Sequence, residues 1–209
     1  MAYVELHAHS AYSFLDGASL PEELAVRAAE LGYEALALTD HDGVYGSLEF
    51  AHAAKAFGVR PITGTEVTLA DGSHITLLVE SQRGYANLCR LLTAAHAHTR
   101  PKESEPALEP ALDQSLLEEL NEGLVCLSGC SRFGLAVRNP NAAARLAQAF
   151  GRERFFVELQ RPFERGDMRR NARLRDLAEA LGVESVVTGD VHAHDPGRVR
   201  LQDALVAIR

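Results

Sequence analysis

The sequence predicts an α/β domain built on a largely parallel sheet, either a barrel or a doubly wound sheet. Short apolar runs alternate with amphipathic stretches that end in glycine along most of the 209 residues. That is the pattern of repeated strand–helix units. In addition, clusters of His, Asp and Glu follow apolar runs, at the strand ends where such folds gather their ligands.

Taken in order, Tyr3–Leu6 reads as the first strand. Pro21 opens the helix P-E-E-L-A-V-R-A-A-E-L-G, with Ser19 as its expected N-cap and Gly32 as its stop. A strand over Ala35–Leu38 and a helix from Ser47 to Phe57, closed by Gly58, come next, followed by a strand over Val59–Thr63. The stretch E-V-T-L-A-D-G-S-H-I-T-L-L-V-E departs from the alternation and reads as a hairpin turning at Asp71-Gly72. Pro101, Pro106 and Pro110 mark an exposed, charged loop. Further strands fall at Leu124–Leu127, Phe155–Leu159 and Val183–Val187. Helices run from Asn141 to Phe150 and from Asp167 to Leu181, stopped by Gly151 and Gly182. With no internal repeat, residues 1–209 read as a single domain.

An apolar fraction of 46% and a charged fraction of 24% are ordinary for a globular protein. No stretch has the length of a membrane-spanning helix, and M-A-Y-V-E-L-H-A-H has neither the basic region nor the cleavage site of a secretory signal. Three cysteines (Cys89, Cys126, Cys130) do not make a disulfide framework, and a cytoplasmic location without a membrane partner is expected. A net charge of −8 argues against non-specific DNA binding. Three divalent ions in one cleft would add about +6 locally, so a phosphodiester is not excluded as a substrate.

His7 and His9 stand two apart on a strand, so both project from one face, the spacing that grips a single ion; a pair of surface histidines is the alternative. In L-T-D-H-D, His41 is the favoured ligand. Asp40 either ligates or accepts the N–H of a liganded imidazole, and Asp42 before Gly43 reads as a turn residue. Glu66 lies inside an apolar strand, where an unpaired carboxylate is costly; it needs a metal or a cation, unless it faces solvent on an edge. Asp190 and His192 repeat the alternate-residue spacing, and Asp195 before Pro196 reads as a helix cap. From spacing alone, Asp16 before Gly17 is a turn residue. Cys126 reads as core, whereas Cys130 falls past a strand end, where a thiolate could reach a metal. His52, His96 and His98 read as structural, with His96 or His98 in reserve for His74. The eight arginines from Arg152 to Arg175 read as a solvated helix face, with a phosphate-contacting rim as the alternative.

Together, H-A-H-S, L-D-G, L-T-D-H-D, G-T-E, S-H-I-T-L-L-V, L-S-G-C, E-L-Q-R and G-D-V-H resemble, in order and across the whole chain, the polymerase and histidinol phosphatase (PHP) domain. More narrowly, they resemble the version at the N-terminus of bacterial DNA polymerase III alpha subunits. The F-L-D-G-A-S-L-P-E-E-L opening and the L-Q-D-A-L-V-A-I-R ending are most similar to the error-prone paralogue of translesion synthesis. The resemblance implies a distorted (β/α)7 barrel with two or three divalent ions, zinc or manganese, with iron as a further choice. It implies His7, His9, Asp16, His41, Glu66, His74, Cys130, Asp190 and His192 as ligands, overriding the turn reading of Asp16. His7, His9, Glu66 and Asp190 would hold the first ion and form the catalytic set. Glu66, as a bridge, would hold the second with His74 and Cys130, and Asp16, His41 and His192 the third.

The implied activity is metal-dependent phosphoester hydrolysis, as a 3′–5′ exonuclease on single-stranded or frayed DNA ends, with no serine or cysteine nucleophile. Two other readings stand beside it: a small-molecule phosphomonoesterase like histidinol phosphatase, and a metal-braced structural module without catalysis. The family segment ending F-Y-x-K-P-R-I-D is replaced here by H-A-H-T-R-P-K-E-S. Palm, fingers and thumb are absent, so the chain reads as an excised domain, whose partner is the polymerase core of the same subunit, or as a stand-alone relative.

Overall fold

A computed structural model describes residues 3–100 and 108–209. The loop expected around Pro101, Pro106 and Pro110 falls mostly outside these residues. The chain divides into two compact units, residues 1–65 with 188–209, and residues 66–187.

In the first unit, helix α1 (Pro21–Glu30) precedes strand β1 (Ala35–Leu38), and helix α2 (Ser47–Ala56) precedes strand β2 (Arg60–Thr68), which continues into the second unit. β1 and β2 pair in parallel, with Ala35 opposite Arg60 and Leu38 opposite Thr63. The core forms because α1 presents Leu24, Ala25 and Ala28 at helical spacing to Leu36 and Leu38 of β1 and to Phe50 and Ala54 of α2. Burial of Phe50 alone contributes roughly 1.5–3 kcal/mol. Helix α8 (Val199–Ile208) follows a single 3₁₀ turn capped by Asp195, as its place before Pro196 suggested.

In the second unit, β2 runs on to the turn at Asp71-Gly72 and returns as β3 (His74–Val79), so the expected hairpin is present; Leu69 N–H donates to the Ser73 carbonyl across it. Helices α3 (Gln82–Ala95) and α4 (Gln114–Glu119) lead to β4 (Leu124–Leu127). Short α5 (Leu135–Arg138) and α6 (Pro140–Phe150) lead to β5 (Phe155–Leu159), and α7 (Asp167–Leu181) to β6 (Ser185–Val187). β3 pairs antiparallel with β4, whereas β4–β5 and β5–β6 are parallel. Strand order follows chain order throughout. Ile75, Leu77, Leu88, Leu91, Leu127 and Phe155 are buried in this unit's core. Gly182 ends α7 in a left-handed conformation, φ 65°, as its predicted stopping role requires.

Four expectations need correction. Tyr3–Leu6 is not a laddered strand: Glu5 and Ala8 make single parallel bridges to Leu36 and Val191. The Glu5 carboxylate supplies what the ladder does not, accepting from His7 N–H at 2.9 Å and Gly189 N–H at 2.8 Å. Ser19 does not cap α1; its hydroxyl accepts from His194 N–H at 2.8 Å, and Glu23 instead accepts from Leu20 N–H at the helix start. Finally, the strand expected over Val59–Thr63 extends to Thr68 and the one over Val183–Val187 shortens to Ser185–Val187. No helix among the described residues is long and apolar enough to cross a membrane.

Candidate metal centre

Two groups of imidazole and carboxylate form in the first unit. Asp190 Oδ1 faces Nε2 of His7 at 3.6 Å and Nε2 of His9 at 3.4 Å. Asp16 Oδ2 faces Nε2 of His41 at 2.9 Å and Nε2 of His192 at 3.5 Å. The His9 ring stacks between the groups, its centroid 4.4 Å from that of His41 and 4.6 Å from that of His192. His9, His41 and His192 each offer a nitrogen within one span of 4.8 Å. His7 and His9 are fully buried, so these are interior groups and not the surface pair considered from sequence.

Local backbone conformation aims these side chains. Asp190 is left-handed at φ 53°, a conformation that aspartate tolerates better than most residues. Gly189 before it leaves room for Glu5: a Cβ there would lie 2.5 Å from Glu5 Oε2, and the carboxylate that accepts from Gly189 N–H would have to shift. The loop from Ser10 to Gly17 is wrapped by its own backbone, with Asp16 and Gly17 N–H both donating to the Ser13 carbonyl.

Asp40, considered from sequence as a ligand or an imidazole acceptor, has a different place. Its carboxylate accepts from Ser10 N–H at 2.6 Å, from the Ser10 hydroxyl and from the Ser13 hydroxyl at 2.8 Å. Ser13 Oγ, having donated to Asp40, accepts from His41 N–H at 3.1 Å and meets His9 Nδ1 at 3.2 Å. The network thus assigns the His9 proton to Nδ1 and leaves Nε2 an acceptor aimed toward Asp190. His192 follows the same rule: Nδ1 lies 2.8 Å from the Asp190 carbonyl, which can only accept, so Nε2 is the acceptor that faces Asp16. An imidazole lone pair directed at a carboxylate oxygen calls for a shared cation, and fixing the remote nitrogen is how proteins orient metal-binding histidines. The donor set therefore fits a divalent ion.

Charge agrees with this geometry. Burial opposes ionisation of Asp16, but in the metal-free protein His192 and His41, when protonated, donate to it, outweigh the burial and hold the carboxyl well below the usual carboxylate range. Burial likewise opposes the charge on Asp190, and His7 and His9, when protonated, lower its pKa all the same. Burial pushes the Glu5 carboxyl up.

The remaining candidates lie in the second unit. Glu66 is 2% exposed, which removes the solvent-facing alternative, and its Oε1 lies 2.7 Å from His74 Nδ1. The loop of Cys130 is laced to the start of β3, where His74 N–H donates to the Phe133 carbonyl, and Cys130 Sγ accepts from Phe133 N–H at 3.4 Å. Cys126 is fully buried, with burial pushing its thiol up, as befits a core residue. His52 is exposed on α2, His96 caps α3, and His98 Nε2 donates to the Glu109 carbonyl at 3.0 Å. Sequence reasoning missed Glu5, Ser10 and Ser13; the hydroxyls one and four residues after His9 were the available signal.

The sequence matches the PHP domain family over residues 5–162. An error-prone DNA polymerase of Symbiobacterium thermophilum is 41% identical over 226 residues, covering all of this chain and 21% of that protein, so the chain spans about a fifth of this relative's length. A protein assigned as a metal-dependent phosphoesterase from Bifidobacterium adolescentis superposes with a TM-score of 0.68 at 14% identity, covering 97% of this chain and 96% of that one. A lesion-specific endonuclease from Pyrococcus furiosus superposes with a TM-score of 0.59 at 16% identity, covering 99% of this chain and 56% of that one. At these identities the superpositions speak for a shared α/β fold, and the sequence match supplies the kinship: the chain belongs to the PHP domain family.

Proposed function

We propose that the chain is a metal-dependent phosphodiesterase that removes nucleotides from the 3′ end of single-stranded or frayed DNA. The observation that carries this is the paired arrangement in which histidine Nε2 acceptors, with their remote nitrogens pinned, face the carboxylates of Asp190 and Asp16. His7, His9 and Asp190 hold one ion and Asp16, His41 and His192 another, while Glu66, His74 and Cys130 are the donors available in the second unit. Zinc, manganese and iron all accept this mixture of imidazole, carboxylate and thiolate. When bound, such ions supply Lewis acidity and a water acidic enough to act near neutral pH.

The chain's own groups set the stage for that chemistry. Ser13 and Asp40 hold the His9 ring, the Asp190 carbonyl holds the His192 ring, and the two aspartates bring negative charge that only a cation offsets. DNA is favoured as substrate because the match to an error-prone DNA polymerase spans the whole chain, and because one structural neighbour is a lesion-specific endonuclease. Purified chain with Zn²⁺ or Mn²⁺ should shorten a 5′-labelled single-stranded oligonucleotide stepwise from its 3′ end. Cleavage of a generic phosphomonoester alone would replace this reading with a monoesterase, and inertness toward both, with metal demonstrably bound, would replace it with a structural role.

A further inference from the structure

One surface of the second unit carries a charge opposite to that of the chain as a whole. Residues 161–175 contain six arginines and two acids, within a protein of net charge −8. Of the acids, Asp167 is taken up by Arg170 at 2.8 Å. Arg165, Arg169 and Arg173 are exposed and make no ion pair among the described residues. Arg169 and Arg173 are one step of four residues apart on α7, about 6 Å along one side of the helix, and Arg165 stands in the loop just before the helix, ahead of the left-handed Gly166.

Beside the row stands an aromatic ring in an unusual position. Phe163 is 86% exposed and its backbone is left-handed at φ 62°, a conformation costly for a bulky residue and worth a functional explanation. The Arg161 guanidinium lies 5.4 Å from its ring centroid, within cation–π range. Arg161, Phe163, Arg165, Met168 and Arg169 line a cleft of about 590 Å³. A second cleft of about 590 Å³ shares Gly166 and Arg169 with the first and continues past Arg173 and Leu177 toward Val137. A row of unpaired arginines with an exposed aromatic in the same groove is the composition that binds a flexible polyanion with planar rings.

The loop also has a defined base. Gln160, at the end of β5, accepts from Ser131 N–H at 2.7 Å, next to Cys130, and its carbonyl accepts from Asn171 of α7 at 3.0 Å. The arginine loop is thereby tied to the Cys130 loop on one side and to α7 on the other.

We infer that the Arg161–Arg173 face is a docking track for single-stranded nucleic acid, with Arg165, Arg169 and Arg173 on successive phosphates and Phe163 stacking on a base. The inference extends the nuclease reading, and it concerns binding, which is measurable without any hydrolysis. Fluorescence anisotropy of a labelled oligothymidylate with the full chain, in chelator so that nothing is cleaved, isolates the track. Arg165→Glu with Arg169→Glu should weaken binding at least tenfold and lower the slope of log K against log salt by about 1.4, some 0.7 per lost phosphate contact. Phe163→Ala should weaken binding about fivefold or more and leave that slope unchanged. Arg145→Glu, an exposed arginine on α6, is the control and should bind as wild type. Wild-type affinity in the double variant, a loss in Arg145→Glu as large as in the double variant, or no binding by the unmodified chain would each overturn the track. Hydrolysis of bis(p-nitrophenyl) phosphate with Mn²⁺ reads the metal centre separately. If it is absent while the oligonucleotide still binds through the arginines, the nuclease reading fails and the track stands; if it is unchanged in the variants while binding falls, both stand.

Discussion

Asp190 stands two residues before His192, in a left-handed conformation, with its carboxylate facing two buried imidazoles. Asp190→Asn keeps the volume and removes the charge that a divalent ion requires. The variant should remain folded by circular dichroism, bind metal at least tenfold more weakly and lose hydrolytic activity. His52→Ala, an exposed residue on α2, should behave as wild type. Full turnover by Asp190→Asn in excess metal would remove this residue from the centre. Asp16 adds a pH dependence whose sign can be worked out. Its carboxyl sits below the ordinary 3.8, so in metal-free protein its ion pair contributes stability that is complete above about pH 4 and lost as pH falls toward the folded-state value. Melting temperature in chelator should therefore drop more steeply below about pH 4 in wild type than in Asp16→Asn; parallel profiles would show that the pair adds nothing. Ligand-type residues such as His7, His9 and Asp190 are visible in a sequence because their chemistry is intrinsic to the side chain. Asp40, Ser13 and Glu5 were misread or missed because their roles depend on partners, and Ser13 is 27 residues from Asp40 and Gly189 is 184 from Glu5.

At the scale of elements, periodicity located Ala35–Leu38, Leu124–Leu127, Phe155–Leu159 and the helix Asp167–Leu181 to the residue. Each is an apolar run or amphipathic stretch with a glycine or a charged turn at its end, so local signals and burial agree. The N-terminal segment was less legible because side chains, not a ladder, hold it. Ser19 is a good capping residue by type, yet His194 takes its hydroxyl, a tertiary partner that overrides local preference. Gly182 shows the local case at its clearest. A Cβ there would meet no atom within 4 Å, so the whole penalty of substitution comes from the backbone at φ 65°. Gly182→Ala should cost about 1 kcal/mol in chemical denaturation, with no effect on metal binding. A neutral result would mean that α7 ends equally well without the left-handed turn.

At the scale of the molecule, a net charge of −8 and clustered carboxylates make the metal-free chain self-repelling. An ion that binds only the native state adds stability by linkage, about 4 kcal/mol when its concentration is a thousandfold above Kd. Chelation should lower the melting temperature by several degrees, and Zn²⁺ or Mn²⁺ should restore it. An unchanged melting curve in a sample shown to be stripped of metal would uncouple the centre from folding. The two compact units differ in how the chain reaches them: one is a single uninterrupted stretch, 66–187, whereas the other needs residues 1–65 and 188–209 together. The clip between Glu5 and Gly189 therefore joins two segments 184 residues apart in order of synthesis. At ribosomal speeds, on the order of ten seconds separate the emergence of His7 from that of Asp190. Throughout that interval the nascent protein displays an imidazole pair without its carboxylate, so loading of this centre with metal waits for the segment that carries Asp190.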